Sequence, residues 1–310
     1  MTALPHDALP AIGPAVVTLG VFDGVHAGHR YLVDATVRAA KTELAASVAL
    51  VFSPHPDEVI RPGASVPRLL PPPMTLDRLR SAGIDHALEV HFDDGVRSLA
   101  PEDFLAGLEP SIDLRALVMS RDSAFGRARA GTLERVAEIG RSHGFAAIGV
   151  EPLLLDGEPV SSSRIREALA AGDVERAARH LLAPPFLRGL VVHGDRRGHE
   201  LGFPTANLEF DYVPALPALG IYLGRVAVPA RGVGPGHPAL VSVGVRPTFH
   251  DDGRVLVEAY LLDWDGDLYD ATLEVELLDR LREERRFDSV EALVAQMRRD
   301  EADARQRIGS

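Results

Sequence analysis

The sequence predicts an α/β domain on a parallel sheet, followed by a small antiparallel β-barrel with a closing helix. Three observations carry this reading. Over residues 15–184, apolar runs rich in β-branched residues alternate with stretches of helical spacing, the order that puts helices on both faces of a parallel sheet. At Ala183-Pro184-Pro185 a breaker cluster interrupts the chain, and beyond it strands and turns follow one another. The 310 residues suffice for about two domains. The expected division is a loose leader over 1–14, an α/β domain over 15–184 and a β-rich domain over 185–310.

Segments 16–22 and 47–52 read as strands because each is a short apolar, β-branched run. Between them residues 29–44 carry Leu32, Val33, Thr36 and Ala40 at helical spacing. Segments 116–119 and 146–150 repeat the strand signal, with a helix expected over 132–143. Two short helices are expected over 164–170 and 174–182, separated by the stop at Gly172-Asp173. In the second half, 190–193, 220–228, 240–245, 255–263 and 272–278 read as strands. In the last, Leu273, Val275 and Leu277 alternate with Glu274 and Glu276, the mark of a half-buried antiparallel strand. Asp288 with Glu291 forms a capping-box pattern that opens a helix to about Gln306. The glycine-rich stretch 232–236, broken by Pro235, reads as a flexible connector, and the charge-dense stretch 280–286 as solvated surface.

Hydrophobic residues make up 46% and charged residues 25%, ordinary values for a globular chain. Lys and Arg number 33 against 45 Asp and Glu, a net charge of −12. That sign repels phosphate backbones and anionic lipid, so neither nucleic acid nor membrane is expected as a partner. Cysteine is absent, which removes disulfides, thiolate metal sites and thiol nucleophiles. There is no basic segment followed by an apolar core, and no apolar run near the roughly 18 residues of a membrane helix. A cytoplasmic protein with no obligatory protein partner is the expectation.

Two regions carry chemistry. The run Gly20-Val21-Phe22-Asp23-Gly24-Val25-His26-Ala27-Gly28-His29 lies where a strand hands over to a helix. His26 and His29 share a face on a first helical turn, and the glycines let a ligand approach the backbone. Free N–H groups at the helix start favour an anion there. Ser161-Ser162-Ser163-Arg164-Ile165-Arg166 adds hydroxyls and arginines at another helix start, more than capping alone requires. Ser53-Pro54-His55-Pro56 ends the second strand, where ligands bind in open parallel sheets, although a rigid turn explains it equally well.

The second region runs from Gly189 to Leu208. Gly194, Gly198 and Gly202 with Arg196 and Arg197 suggest a loop folded over phosphates, without the Lys-Ser/Thr of a Walker loop. After Pro204, Thr205 and Asn207 are alternate residues whose oxygens face one way in an extended segment and suit Mg²⁺. Glu258 sits in the apolar strand 255–262, and from pattern alone it more simply points to solvent.

The runs at 20–29, 52–56 and 161–166 resemble the adenylyltransferase module of the bifunctional riboflavin kinase/FMN adenylyltransferase family, the prokaryotic FAD synthetases. The run at 189–208 closely resembles the riboflavin kinase signature, and 220–222, 242–249, 257–258, 263–269 and 281–287 match in order, so the resemblance spans roughly 15–305. It implies a Rossmann-like nucleotidylyltransferase domain followed by a kinase barrel. ATP would be the co-substrate and Mg²⁺ the cofactor for phosphorylating riboflavin to FMN and adenylylating FMN to FAD. In the first module it implies ATP binding by Gly20, Phe22, Asp23, Gly24, Gly28, Ser162, Ser163 and Arg166, catalytic roles at the phosphates for His26 and His29, and flavin contacts from Phe125 and Arg129. In the second it implies ATP binding by Gly194, Arg197, Gly198, Gly202 and Pro204, Mg²⁺ on Thr205 and Asn207, Glu258 as the base, and Arg282 and Phe287 beside the flavin. Ser120 and Ser123 stand where the family carries glycine and phenylalanine, and Ser242 where asparagine is common. Two alternatives follow: a kinase with a weakened adenylyltransferase module, or a non-enzymatic flavin-binding regulator. Thr205, Asn207 and Glu258 speak against the regulator, because flavin binding alone needs neither metal nor base.

Overall fold

The computed structural model describes residues 9–194, 202–245 and 255–308. The chain forms two compact units, Met1–Val66 with Pro72–Ser161 and Pro67–Pro71 with Ser162–Ser310.

The first unit contains β1 (Gly13–Gly20), α1 (Ala27–Glu43), β2 (Ala46–Ser53), α2 (Pro56–Ile60), α3 (Pro72–Ser81), β3 (His86–His91), α4 (Asp94–Ser98), α5 (Pro101–Ala106), β4 (Ile112–Ser120), α6 (Leu133–His143), β5 (Ala146–Val150) and the short hairpin β6 (Leu154–Leu155) and β7 (Glu158–Pro159). Its five-stranded sheet has the order β3-β2-β1-β4-β5 with every pair parallel. Val17, Val48, Leu50 and Leu117 pack with Phe104 and Ile139. The alternate residues Val16, Ala116 and Val118 pack with Ala40 of α1. The period-2 alternation thus puts apolar side chains on both faces, which is why these strands read as continuous apolar runs. Strand order reverses between β1 and β4, and at the carboxyl ends of such a switch point open parallel sheets bind their ligands.

The second unit contains α7 (Ser162–Ala170), α8 (Val174–Leu181), β8 (Phe186–Val192), β9 (Ala206–Glu209), β10 (Gly220–Val228), β11 (Val233–Val245), β12 (Val255–Leu261), β13 (Thr272–Glu283) and α9 (Val290–Ile308). The strands close a barrel in the order β10-β11-β12-β9-β8-β13, antiparallel throughout. Val191, Leu208, Val226, Val241, Val257, Ala259 and Val275 belong to its core. Leu223, Leu240 and Leu262 pack with Ala304 of α9.

Three local expectations change. The closing helix starts at Val290, with the Ser289 hydroxyl accepting from the Ala292 N–H at 3.2 Å, so Ser289 caps it rather than Asp288. Of the stretch 232–236, all but Gly232 is drawn into β11, where Val233 pairs with Val228 and His237 with Val226. β13 runs on through Arg280 to Glu283, because Tyr222 and Ile221 of β10 pair with Arg280 and Arg282.

The sequence puts a break at Pro185, where Pro184-Pro185 follow the end of α8. By compactness α7 and α8 group with the barrel, since Ile165, Leu169, Val174, Ala177 and Leu181 share one apolar cluster with Leu187 and Tyr222. The Leu277 N–H also bonds to the Pro185 carbonyl at 2.9 Å. A fragment starting at Leu187 should therefore melt well below one starting at Ser162. Returning two buried aliphatic side chains to water costs about 3 kcal/mol, which is roughly 10 °C in a domain of this size. Equal melting temperatures would mean that the two helices add nothing to the barrel.

Candidate active sites

In the first unit the loop leaving β1 is buried and strained. Phe22 (φ 54°) and Val25 (φ 43°) adopt left-handed backbone that bulky residues avoid, and Gly24 lies between them at φ 80°. Such strain persists only where the surroundings over-determine it, and it clusters at ligand sites. His26 then caps α1, its Nδ1 accepting from the His29 N–H at 3.3 Å. The two imidazoles stack with centroids 3.6 Å apart and planes 13° from parallel, and the Phe22 ring lies 5.2 Å from His29. His29 Nδ1 is buried without a hydrogen-bond partner. Burial first, and the neighbouring His26 second, hold the His29 pKa well below its usual 6.5, so the ring is neutral at pH 7. A Cβ on Gly28 would lie 3.3 Å from both the His26 ring and the Val160 carbonyl, so this glycine lets the chain after β7 close on the first turn of α1. Gly20, Phe22, Asp23, Gly24, His26, Gly28 and His29 are thus gathered at the carboxyl end of β1, the sheet's switch point.

The loop leaving β4 is a tight turn. The Ser120 hydroxyl donates to the Asp122 carboxylate, and Ser123 donates to the Ser120 carbonyl through both its N–H (3.0 Å) and its hydroxyl (2.7 Å). Phe125 turns into the core, 5.5 Å from Phe104, whereas Arg129 is exposed. At the end of β2, His55 caps α2 and Glu58 completes its capping box. Ser162, Ser163 and Arg166 lie on α7 in the second unit, and Arg166 Nε donates to the Pro67 carbonyl at 2.6 Å. A cavity of about 260 Å³ lined by Leu105, Ile112, Asp113, Ile139 and Phe145 opens at the amino end of β4, away from the candidate residues of this unit.

In the barrel, strand register decides the geometry. Glu258 on β12 stands opposite Asn207 on β9 and opposite Ser242 on β11. Val257 and Ala259 on either side point into the barrel, leaving Glu258 on the outer face, partly buried. Directly paired residues bring their side chains within about 5 Å. Asn207 Oδ1 is buried with no hydrogen-bond partner. A Cβ on Gly194 would collide with the Asn207 amide, which would have to shift to make room for it. Thr205 is partly buried two residues before Asn207, Phe203 is buried with its ring 5.3 Å from Tyr260, and Pro204 and Gly202 (φ 83°) are exposed. Arg197 and Gly198, like Arg196 and the stretch 246–249, lie outside the described residues. An orphan carboxamide oxygen beside a hydroxyl and a carboxylate is a hard-oxygen set of the kind Mg²⁺ accepts. No cluster of three His, Cys, Asp or Glu suited to a metal occurs among the described residues.

Arg282, near the end of β13, is not the solvated residue expected. Its guanidinium is held by Asp300 of α9, and its Cζ lies 5.9 Å from the centroid of the Phe287 ring. Sequence reasoning missed Asp300 entirely. The available signal was an acidic residue on the buried stripe of α9, four residues before the buried Ala304.

Comparison with known proteins finds two family models on this chain. The riboflavin kinase family model matches residues 181–308, and the FAD synthetase family model matches residues 10–164. A bifunctional riboflavin kinase/FMN adenylyltransferase of Pseudomonas fluorescens is 35% identical over 97% of this chain and 95% of its own length. One from Escherichia coli K12 is 33% identical over 95% of this chain and 93% of its own. A crystal structure described as a macrolide-efflux protein from Streptococcus pneumoniae superposes with a TM-score of 0.87 at 31% identity, covering 98% of this chain and 97% of that one. Among the described residues no helix is long and apolar enough to cross a membrane. Matches of this identity along nearly the whole chain, with both family models in the order of the two units, mean that the protein belongs to the bifunctional riboflavin kinase/FMN adenylyltransferase family.

Proposed function

We propose that this chain phosphorylates riboflavin to FMN and adenylylates FMN to FAD, with ATP as co-substrate of both reactions, and that it acts in the cytoplasm. The observation that carries the kinase half is the register across β9 and β12, which pairs Glu258 with Asn207. A ribityl hydroxyl is a poor nucleophile, and Glu258 takes its proton as the attack on the γ-phosphate begins. Thr205 and Asn207 would hold Mg²⁺, which supplies neutralisation of phosphate charge. Gly194, Arg197, Gly198, Gly202 and Pro204 receive the nucleotide, and Arg282 and Phe287 flank the flavin.

Adenylylation needs no base, because the FMN phosphate is already an anion. Its demands are positioning and charge stabilisation at the α-phosphate. His26, His29 and the amino end of α1 meet the phosphates, while Gly20, Phe22, Asp23, Gly24 and Gly28 let the nucleotide approach the backbone. Arg129 reaches the flavin, and Phe125 supports the turn in front of it. Incubating the protein with riboflavin and Mg-ATP and resolving riboflavin, FMN and FAD by chromatography tests the whole reading. Absence of FMN would end it, and FMN without FAD would leave the kinase alone.

Ser123 favours a slower second step. An aromatic ring at this position would add stacking worth about 0.5–1.5 kcal/mol, up to roughly tenfold in affinity. FMN should accumulate transiently from riboflavin, and Ser123→Phe should lower the Michaelis constant for FMN. The lost hydroxyl bond costs little, since the Ser120 carbonyl keeps the backbone N–H of residue 123. An unchanged constant in a folded variant counts against the stacking argument.

A further inference from the structure

Most of α9 is exposed, yet Asp300 is only 4% exposed. Burying a carboxylate is costly unless every oxygen is met. Here both are. Arg282 Nε donates to Oδ1 at 2.9 Å and to Oδ2 at 3.0 Å, and Nη2 donates to Oδ2 at 2.7 Å. Gln296, one turn earlier, adds its Nε2 to Oδ1 at 2.7 Å. Arg282 Nη1 is spent on the Glu283 carbonyl at 2.9 Å. The side chains of the pair are 11% and 6% exposed, unlike the open pair that Arg305 of the same helix makes with Asp263 after β12.

A buried ion pair is poor evidence for stability, since apolar residues of the same volume serve as well. What a fork of this kind supplies is geometry: a planar guanidinium with its orientation fixed. Arg282 so held presents its cation 5.9 Å from the Phe287 ring, in a segment with no helix or strand of its own. We propose that Asp300, backed by Gln296, is a positioning residue of the kinase site, which sets riboflavin affinity by fixing Arg282 and, through it, Phe287. The closing helix thereby becomes part of the flavin site rather than only a cover for the barrel. This inference rests on the reading that Arg282 and Phe287 flank the flavin.

The test is a double-mutant cycle in the full-length protein, read as riboflavin KM, kcat and, in the same tube, adenylylation of supplied FMN. Asp300→Asn should raise the riboflavin KM about tenfold, with kcat within about threefold and adenylylation unchanged. Arg282→Ala should raise it at least as much, and adding Asp300→Asn to Arg282→Ala should raise it no further. A merely structural Asp300 would lower kcat with the folded fraction and would add its effect in either background. If Arg282→Ala leaves the KM unchanged, the flavin-flanking reading falls and takes the inference with it. If Arg282→Ala is strong while Asp300→Asn is silent, or if the effects add, only the positioning role falls. Should Asp300→Asn not fold, Gln296→Met removes one of the carboxylate's bonds and leaves the ion pair. It should raise the KM two- to threefold, roughly the loss of a single hydrogen bond's weaker share, and a KM at the wild-type value overturns the inference.

Discussion

Replacing Glu258 with glutamine should lower riboflavin phosphorylation by about 10²–10⁴-fold, the usual worth of a positioned base. Conversion of supplied FMN to FAD should stay at the wild-type rate. The substitution keeps the size of the side chain, and Val257 and Ala259, which point into the barrel on either side, are untouched. The pairings with Asn207 and Ser242 are made by backbone and survive. What disappears is the ability to accept a proton. The riboflavin KM should accordingly change less than kcat, since the lost interaction belongs to the transition state. Initial rates of FMN formation measured by flavin chromatography decide the matter. Phosphorylation within a few-fold of wild type removes Glu258 from the role of base.

From the sequence, Glu258 was the harder residue to judge. Its pattern is that of a solvent-facing carboxylate in an amphipathic strand, and the partner that changes this, Asn207, lies in a strand far away in the chain. Register is non-local information, and no window around Glu258 contains it. The same limit explains Arg282. The segment 280–286 is dense in charge and read as surface, whereas the carboxylate that buries its arginine is Asp300, 18 residues on in another element. Elements buried on both faces, β1, β2 and β4, were plain as continuous β-branched runs. The edge strand β3 was not, since His86, Glu89 and His91 interrupt a run of only six residues. Pro184-Pro185 marks a break in the chain, but the apolar cluster that joins α7 and α8 to the barrel crosses it. At the first site, residue types and spacing were legible in Gly20–His29. The left-handed backbone at Phe22 and Val25 was not, because those residues seldom adopt it without a surrounding that forces them.

His29→Ala should produce the complementary defect: FAD formation from FMN down by about 10²–10³-fold, the cost of removing one preorganised donor to a developing charge, with riboflavin phosphorylation unchanged. A loss of fold is not the expected cause. His26 caps α1 by accepting from the backbone N–H of residue 29, and alanine retains that N–H. The variant loses the ring stacked 3.6 Å from His26 and the buried Nδ1 that has no partner. Stability should carry a second signature. The His29 pKa lies below 6.5 in the folded chain, mainly through burial and secondly through His26. The unfolded chain therefore takes up the proton first as the pH falls below about 6.5, and stability contributed by the neutral ring is present above that pH and drains away on acidification. His29→Ala abolishes this titration, so its melting temperature should fall less than that of the wild type between about pH 6.5 and 5. An anion placed against the pair reverses the shift, because a negative charge favours the protonated ring. Saturating ATP should thus flatten the wild-type profile and leave the variant's slope nearly as it was. A variant that still makes FAD at near wild-type rates, with the acid slope retained, would show that His29 neither meets the phosphates nor titrates against the fold.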